Sequence, residues 1–305
     1  MKKISTALLL ILAITLFVTA CAREDVAVPG EQGQDIITAK EALESIGEDG
    51  VVFVDVQSSG DYSDGHLKGA VNISRNNITT FGPYPNMLAS DSAIEEVLSE
   101  NGISNDSKVI IYDDNNNMDA GRLWWTLKVF GHENMQVISG GLKALNKANA
   151  EITTDEPNIE TTEYNIDSKN EDIIATKEEV LEVVNKDNED VVILDVRSQG
   201  EYMAGTIPGS KHVNYEENVN FDGEFHSIDE IIDNHTDEDI TPDKTVIMYC
   251  KTSIRAGNTF VALHNAGYRD IKIYDGAWIE WSSDSSAPVE MPGSGGEEAN
   301  FQDGS

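Results

Sequence analysis

One of the two cysteines, Cys250, stands where a strand is predicted to turn into a helix. The apolar run 246–249 precedes it, and Lys251 and Arg255 bring positive charge to the turn that follows. Unpaired backbone N–H groups and the positive end of the helix dipole stabilise a thiolate at such a turn. The residue types and their spacing therefore predict a cysteine nucleophile at the carboxyl edge of a parallel sheet, where ligands bind in α/β proteins.

A structural cysteine is the alternative at this position, because free cysteines are among the most buried residue types. The charge pattern favours a reactive cysteine over a structural one. The protein has 55 acidic and 21 basic residues, so two cations beside one thiol reverse the overall trend. An unpaired thiol would also be unusual in an exported protein, and the N-terminus has the features of an export signal.

The composition excludes several classes of function. A formal net charge of −34 would repel a nucleic acid backbone, which proteins hold with clustered Lys and Arg, and an anionic membrane surface is an equally poor electrostatic partner. Two cysteines are too few for a disulfide framework or a thiolate zinc site, and the six histidines show no metal-ligand spacing. We therefore predict no metal, no cofactor and no nucleic acid partner.

The chain repeats one pattern twice. Residues 51–73 align with residues 191–213 position by position at a shift of 140. The apolar run before Cys250 has a counterpart at 108–112, and Asp113 then takes the place of the thiol. The chain is therefore an internal duplication in which only the second copy carries the nucleophile.

Each copy alternates short apolar runs with helical patterns. Residues 110–112 and 246–249 have the continuous apolar character of strands that are buried on both faces. Helices are predicted to follow over residues 122–130 and 256–266, each ending at a glycine. This alternation indicates an α/β protein of two domains, each a mainly parallel sheet with helices on both faces.

The N-terminus is predicted to export and anchor the chain. Two lysines precede an apolar run that is too short to span a bilayer comfortably, and small residues stand directly before Cys21. This pattern resembles the bacterial lipobox, which implies cleavage before Cys21 and lipidation of its sulfur. An ordinary secretory signal with an incidental cysteine is the alternative. Acyl chains would hold the protein at the extracytoplasmic face of the cell membrane.

These features divide the chain into six segments. Pro, Gly and acidic residues without periodicity mark the two ends as unstructured. The predicted segments are a lipoprotein signal peptide over 1–20, a tether over 21–35, a first domain over 36–150, a linker over 151–173, a second domain over 174–290 and a disordered acidic tail over 291–305.

Four motifs of the second copy, taken together, resemble the rhodanese family of sulfurtransferases. In chain order they are LDVR (194–197), EYMAGTIPG (201–209), YCKTSIR (249–255) and GYRDIKIYDGAW (267–278). The resemblance covers residues 36–150 and 174–285. The tandem arrangement is similar to that of thiosulfate and 3-mercaptopyruvate sulfurtransferases, in which the first copy is catalytically silent. Asp113 fits that pattern, because a carboxylate cannot hold a transferable sulfur.

The resemblance implies a two-step transfer of sulfur. The Cys250 thiolate attacks the outer sulfur of a small anionic donor, becomes a persulfide and passes that sulfur to an acceptor such as cyanide or a thiol. Arg255 closes the loop that begins at Cys250, and Lys251 meets the donor. The other loop residues that the resemblance assigns to the substrate site are Thr252, Ser253 and Ile254.

Two residues that precede the loop in the chain, Arg197 and Asp195, are also assigned expected roles. Arg197 is expected to orient the donor anion or to brace the loop, and a structural strand-end arginine paired with a carboxylate is the alternative. Asp195 is expected to be structural support. Thr206 departs from the family pattern, which often has histidine there, and puts the identity of the donor in doubt. The cationic loop is similar to the thiosulfate type, which favours thiosulfate over 3-mercaptopyruvate.

Two other functions stay open at this point. Rhodanese-like phosphatases and arsenate reductases have one more residue between cysteine and arginine, because an oxyanion needs a wider cradle than one sulfur atom. The four residues between Cys250 and Arg255 favour sulfur. A non-enzymatic binding lipoprotein is the second alternative, and the silent first copy is a precedent for it.

Overall fold

The computed structural model describes residues 26–186 and 188–292. The predicted signal peptide, Cys21 and the tail from residue 293 onward lie outside the described residues. Within the described part of the chain, no helix has both the length and the apolar character that a membrane span requires.

The first domain alternates strands and helices along the chain. Its strands of five residues, VVFVD and KVIIY, are rich in β-branched and aromatic side chains, which favour extended structure. In chain order the elements are β1 (Ile36–Ile37), α1 (Ala39–Glu44), β2 (Val51–Asp55), α2 (Ser59–Asp64), β3 (His66–Leu67), β4 (Val71–Asn72), α3 (Arg75–Ile78), β5 (Thr79–Thr80), β6 (Met87–Leu88), α4 (Asp91–Glu100), β7 (Lys108–Tyr112), α5 (Met118–Val129), β8 (Met135–Ile138), α6 (Gly141–Lys147) and β9 (Ile152–Thr153).

The second domain repeats this order. A short 3₁₀ helix, Glu171–Ile173, leads into it, and another, Tyr215–Asn218, takes the place of α3. Its elements are β10 (Ile174–Ala175), α7 (Lys177–Asn185), β11 (Val191–Asp195), α8 (Gln199–Met203), β12 (Lys211–His212), α9 (Ile228–Thr236), β13 (Thr245–Tyr249), α10 (Arg255–Asn265), β14 (Ile271–Tyr274) and α11 (Ala277–Ser283).

Both domains have a five-stranded parallel sheet of the same order. The first sheet runs β1-β8-β7-β2-β4 and the second runs β10-β14-β13-β11-β12. All strand pairs within these two sheets are parallel. The predicted α/β class and the duplicated parallel sheets are thus confirmed.

Each sheet buries both faces, because successive side chains of a strand point to opposite sides. In β7, Val109 and Ile111 join one apolar cluster, whereas Ile110 and Tyr112 join another. The first of these clusters continues into the second domain and includes Met248 and Cys250. One hydrophobic core therefore spans the domain interface, and the thiol is part of it.

Helices α5 and α10 form the centre of this interface. They were predicted over 122–130 and 256–266, and the structure has them at Met118–Val129 and Arg255–Asn265. Helix α5 begins earlier because the Asp113 carboxylate accepts hydrogen bonds from the N–H groups of Asp119 and Ala120 in its first turn.

Two glycines allow these helices to approach closely. A Cβ placed on Gly257 would lie 2.5 Å from the Arg122 nitrogen, and one on Gly121 would lie 2.6 Å from the Gly257 carbonyl carbon. These contacts involve backbone atoms, which cannot move aside as a flexible side chain can. The domain interface therefore requires glycine at both positions.

We expect Gly257→Ala to lower the free energy of unfolding by roughly 1–3 kcal/mol, the usual cost of overpacking a close contact. Urea denaturation measures the effect. Gly200→Ala in α8 is the matched control, because a Cβ there meets nothing within 4 Å. A Gly257→Ala protein as stable as Gly200→Ala would contradict the close contact.

The prediction of an unstructured tether over 21–35 is corrected for residues 30–35, which pack against the second domain. The Gly30 N–H donates to the Gly267 carbonyl at 3.0 Å, and the Gly33 N–H donates to the Asn265 carbonyl at 2.9 Å. Asp35 then pairs with His264, with 2.6 Å between Oδ2 and Nδ1. The segment is ordered because it supplies partners to carbonyl groups that the end of α10 leaves unpaired.

Candidate active site

Cys250 directly follows β13, between the ends of β11 and β14. The residue is buried, with 1% of its surface exposed. Its carbonyl accepts a hydrogen bond from the Trp278 N–H at 3.0 Å, and the Lys251 carbonyl accepts one from the Ile279 N–H at 3.2 Å. Helix α11 therefore supports the first two residues of the loop that leads to α10, which we call the thiol loop (residues 250–255).

The hydroxyl groups of the thiol loop hold its shape. Ser253 has a left-handed backbone with φ of 61°, and its Oγ lies 2.8 Å from the Tyr274 carbonyl and 2.9 Å from the Asp275 carbonyl. Thr252 Oγ1 accepts a hydrogen bond from Asn86 Nδ2 at 2.9 Å. Both side chains, predicted to line the substrate site, are engaged with protein groups, and the Asn86 contact comes from the first domain.

Arg255 ends the thiol loop, as the sequence predicts, and Glu201 fixes its guanidinium. The two nitrogens Nη1 and Nη2 donate to the two carboxylate oxygens at 2.6 Å and 2.8 Å. The hydrogen bond from Arg255 lowers the pKa of Glu201 to about 2. Burial opposes the charge of Arg255, but Glu201 and the Cys250 thiolate outweigh it, so the pKa of Arg255 is raised.

Glu201 also caps α8, which makes a clean test available. The Ser198 N–H donates to Glu201 Oε2, and glutamine serves equally well in such a capping box. We therefore expect Glu201→Gln to keep the fold and to release Arg255, which lowers kcat/KM for the sulfur transfer that the sequence resemblance implies by about 10- to 100-fold, the scale of a misplaced site group.

The control is Glu41→Gln, which changes the corresponding capping box of α1 with Thr38, far along the chain from the thiol loop. Steady-state kinetics and thermal unfolding are measured on both variants. Equal kcat/KM for the two proteins would show that Glu201 does not position Arg255.

Arg197 is buried, and its contacts are those of a strand-end arginine paired with a carboxylate. Its Nη2 donates to Asp195 Oδ2 and to the Gly205 carbonyl, both at 2.6 Å. The guanidinium lies 4.3 Å from the centre of the Trp278 ring, and the residue is 2% exposed. Asp195 is fully buried and also accepts from the Tyr249 hydroxyl at 2.7 Å. The pair supports the sheet edge, and orientation of the donor by Arg197 finds no support here.

Lys251 is the exposed cation of the thiol loop. Across the described ranges, its ammonium group has no carboxylate within ion-pair distance and no hydrogen-bond partner. Unlike Arg255, it is free to meet an anionic molecule that approaches the loop.

The first domain adds a second guanidinium near the thiol. Arg75, at the start of α3, forms a two-pronged ion pair with Asp119, with Nε–Oδ1 and Nη2–Oδ2 distances of 2.7 Å and 2.9 Å. Burial opposes its charge, but Asp119 and then the Cys250 thiolate outweigh burial and raise the pKa of Arg75. Sequence analysis missed this residue because it belongs to the copy without a thiol.

The silent loop of the first domain, residues 113–118, holds its own anion. The carboxylate of Asp113 accepts hydrogen bonds from four backbone N–H groups at 2.9–3.0 Å. Burial and the neighbouring Asp119 raise the pKa of Asp113 to about 6, against these hydrogen bonds. The donors belong to Asn115, Asn117, Asp119 and Ala120.

The two loops have equivalent surroundings. The Asp113 carbonyl accepts from the Leu142 N–H at 2.8 Å, as the Cys250 carbonyl accepts from Trp278. Left-handed residues, Gly141 and Ala277, precede these two donors. The described residues contain no cluster of His, Cys, Asp or Glu that could hold a metal ion. The described residues thus form a two-domain α/β protein with a buried free cysteine, Cys250, in the loop that corresponds to the silent loop.

Comparison with known proteins gives the family. The sequence profile of the rhodanese-like domain matches residues 38–148 and 176–284. The chain therefore belongs to the rhodanese family, with two rhodanese-like domains, as the sequence motifs indicate.

The relatives carry names that concern sulfur transfer. A protein of Saccharopolyspora erythraea, provisionally named thiosulfate sulfurtransferase, is 30% identical over 275 residues, which cover 84% of this chain and 96% of that protein. The sulfur carrier protein TtuD of Thermus thermophilus is 30% identical over 246 residues, covering 75% and 86%. These relatives support the predicted sulfur-transfer class.

Solved structures show the same fold. The anaerobic ergothioneine biosynthesis enzyme from Chlorobium limicola superposes with a TM-score of 0.76 at 24% identity. The match covers 85% of this chain and 71% of that one.

Proposed function

We propose that the protein is a sulfurtransferase that moves a sulfane sulfur from thiosulfate to a thiophilic acceptor through a persulfide on Cys250. The Cys250 thiolate attacks the outer sulfur of thiosulfate, and sulfite leaves with the electron pair of the broken sulfur–sulfur bond. Cyanide or a thiolate then attacks the outer sulfur of the persulfide, and the Cys250 thiolate leaves as its electron pair returns.

The observation that carries the proposal is the equivalence of the thiol loop and the silent loop. In the silent loop, backbone N–H groups converge on the Asp113 carboxylate. The thiol loop lies at the same place in its own domain and precedes its helix by the same number of residues, so we expect its N–H groups to be available to a negatively charged Cys250 side chain. Such donors stabilise negative charge on the thiolate and on the outer sulfur of a persulfide.

The charges around the thiol support an anionic donor. Lys251 is exposed and unpaired within the described residues, whereas Arg255 and Arg75 are held by carboxylates. In a protein of net charge −34, this local excess of cations favours a small dianion such as thiosulfate. 3-Mercaptopyruvate is the second donor to compare.

Thiocyanate formation from cyanide tests the proposal in the full chain carrying Cys21→Ser, which leaves Cys250 as its one thiol. We expect turnover with thiosulfate to exceed that with 3-mercaptopyruvate. Lys251→Gln should raise the KM for thiosulfate and leave kcat nearly unchanged, with the exposed Lys186→Gln as the control for lost charge. The absence of thiocyanate with both donors would contradict the proposal.

We also propose that the protein is a lipoprotein at the extracytoplasmic face of the cell membrane. The lipobox-like residues before Cys21 support this location. Cell fractionation should find the parent chain with the membrane and the Cys21→Ser chain outside that fraction. Equal distribution of the two proteins would count against lipidation of Cys21.

A further inference from the structure

The thiol loop is held from the first domain by one buried arginine. Arg122 on α5 is fully buried, although it faces the second domain. Its Nη1 donates to the Ser253 carbonyl at 3.3 Å and to Asp275 Oδ1 at 2.8 Å. Its Nη2 donates to the Asn86 carbonyl at 2.9 Å. One guanidinium therefore contacts the loop, the strand end behind the loop and the segment that covers it.

The partners of Arg122 connect to the loop a second time. Asn86, in the segment between β5 and β6, donates through Nδ2 to Thr252 Oγ1. Asp275 accepts from the Leu88 N–H at 2.8 Å through Oδ2. Its carbonyl accepts from the Ser253 hydroxyl. Two successive loop residues are thus fixed by the network that Arg122 centres.

This network stabilises a loop conformation that is energetically unfavourable by itself. Ser253 is a non-glycine residue in the left-handed region, where the side chain crowds the backbone. Such conformations persist where the surrounding contacts over-determine them. The Arg122 contact to the Ser253 carbonyl and the Ser253 hydroxyl contacts act on that one residue.

The corresponding contact from the second domain to the silent loop uses a neutral donor, which makes a weaker hydrogen bond. There α10 contributes Asn258, whose neutral Nδ2 donates to the Asn116 carbonyl at 2.8 Å. Hydrogen bonds from a charged guanidinium are stronger than those from an amide, and a buried charge is costly unless it is fully paired. The interface places its buried ion pair on the side of the thiol.

We propose that Arg122 is a positioning residue for Cys250, so that the first domain, though silent, sets the reactivity of the thiol in the second. The effect on turnover rests on the proposed sulfurtransferase function. The effect on thiol reactivity does not, because it concerns only the geometry of the loop around Cys250.

The test compares Arg122→Lys with the parent, both carrying Cys21→Ser. Lysine keeps the charge beside Asp275 but cannot reach the Ser253 and Asn86 carbonyls together. We expect kcat/KM to fall by about 10- to 100-fold. The rate of Cys250 alkylation by iodoacetamide, measured against pH, should shift as well, because the Ser253 and Asn86 carbonyls lose their shared donor and the loop around the sulfur is no longer held in one geometry.

A double variant and a control keep the proposal open to disproof. Arg122→Met with Asp275→Asn removes both buried charges together, so it folds even if a single unpaired charge would not be tolerated. Asn117→Gly removes an interdomain hydrogen bond of the silent loop, from Asn117 Nδ2 to the Gly223 carbonyl at 2.7 Å, and keeps the left-handed backbone accessible. It should leave the alkylation profile unchanged.

The two readouts separate failure of this proposal from failure of the proposed function. A parent that alkylates readily but transfers no sulfur would refute the function, while a shifted alkylation profile in Arg122→Lys would still support positioning. Folded Arg122 variants with the parent alkylation profile, or an equal shift in Asn117→Gly, would overturn the positioning role.

Discussion

Replacement of Cys250 by serine is expected to abolish sulfur transfer, with a loss on the order of 10³ or more in turnover, the scale seen when a covalent nucleophile is removed. The serine hydroxyl is not ionised near neutral pH and cannot form a persulfide. Thiocyanate formation from thiosulfate and cyanide measures the loss.

Serine differs from cysteine at this site by one atom, so the fold should remain. Thermal unfolding of Cys250→Ser should lie close to that of the parent, since the two side chains have nearly the same size and shape at this buried position. A folded Cys250→Ser protein that retains turnover above about 1% of the parent would show that the reaction does not use this thiol.

Replacement of Asp113 by alanine is expected to destabilise the first domain by about 3–5 kcal/mol. Four backbone N–H groups lose their acceptor in a buried site, and each unsatisfied donor costs about 1–3 kcal/mol before relaxation and entering water reduce the sum. Urea denaturation of the full chain measures the loss.

Asp114→Ala is the matched control, because Asp114 is the adjacent residue of the same loop but is exposed. Its substitution should change stability by less than about 0.5 kcal/mol. Equal unfolding free energies for Asp113→Ala and Asp114→Ala would contradict the view that the silent loop is stabilised by its own carboxylate.

The fold could be predicted because its signals are local. Continuous apolar runs such as 246–249 identify strands that are buried on both faces. The repeat at a shift of 140 residues supports each assigned element with a counterpart in the other copy. The position of Cys250 and the closing Arg255 follow from the same order of elements. The helix bounds were less accurate, because the start of α5 depends on a side chain, Asp113, that lies before the helical pattern.

The first domain's part in the site could not be predicted, because docking of the two domains creates it. Arg75, Asn86 and Arg122 are far from Cys250 in sequence, and no periodicity relates them to the thiol. One signal was available for the docking itself: Gly121 and Gly257 stand at similar places in the two helical repeats, as glycines do where helices cross closely. The composition of residues 30–35 misled in the opposite direction, since Gly30 and Gly33 pair with the backbone at the end of α10.

The most direct test is the intact mass of the protein after treatment with thiosulfate and removal of the excess donor. The account predicts one added sulfur atom on the chain that carries Cys21→Ser, and none on the same chain with Cys250→Ser. The added sulfur should disappear on treatment with cyanide. No mass gain on the parent chain with thiosulfate or 3-mercaptopyruvate, or an equal gain on both chains, would contradict a persulfide at Cys250.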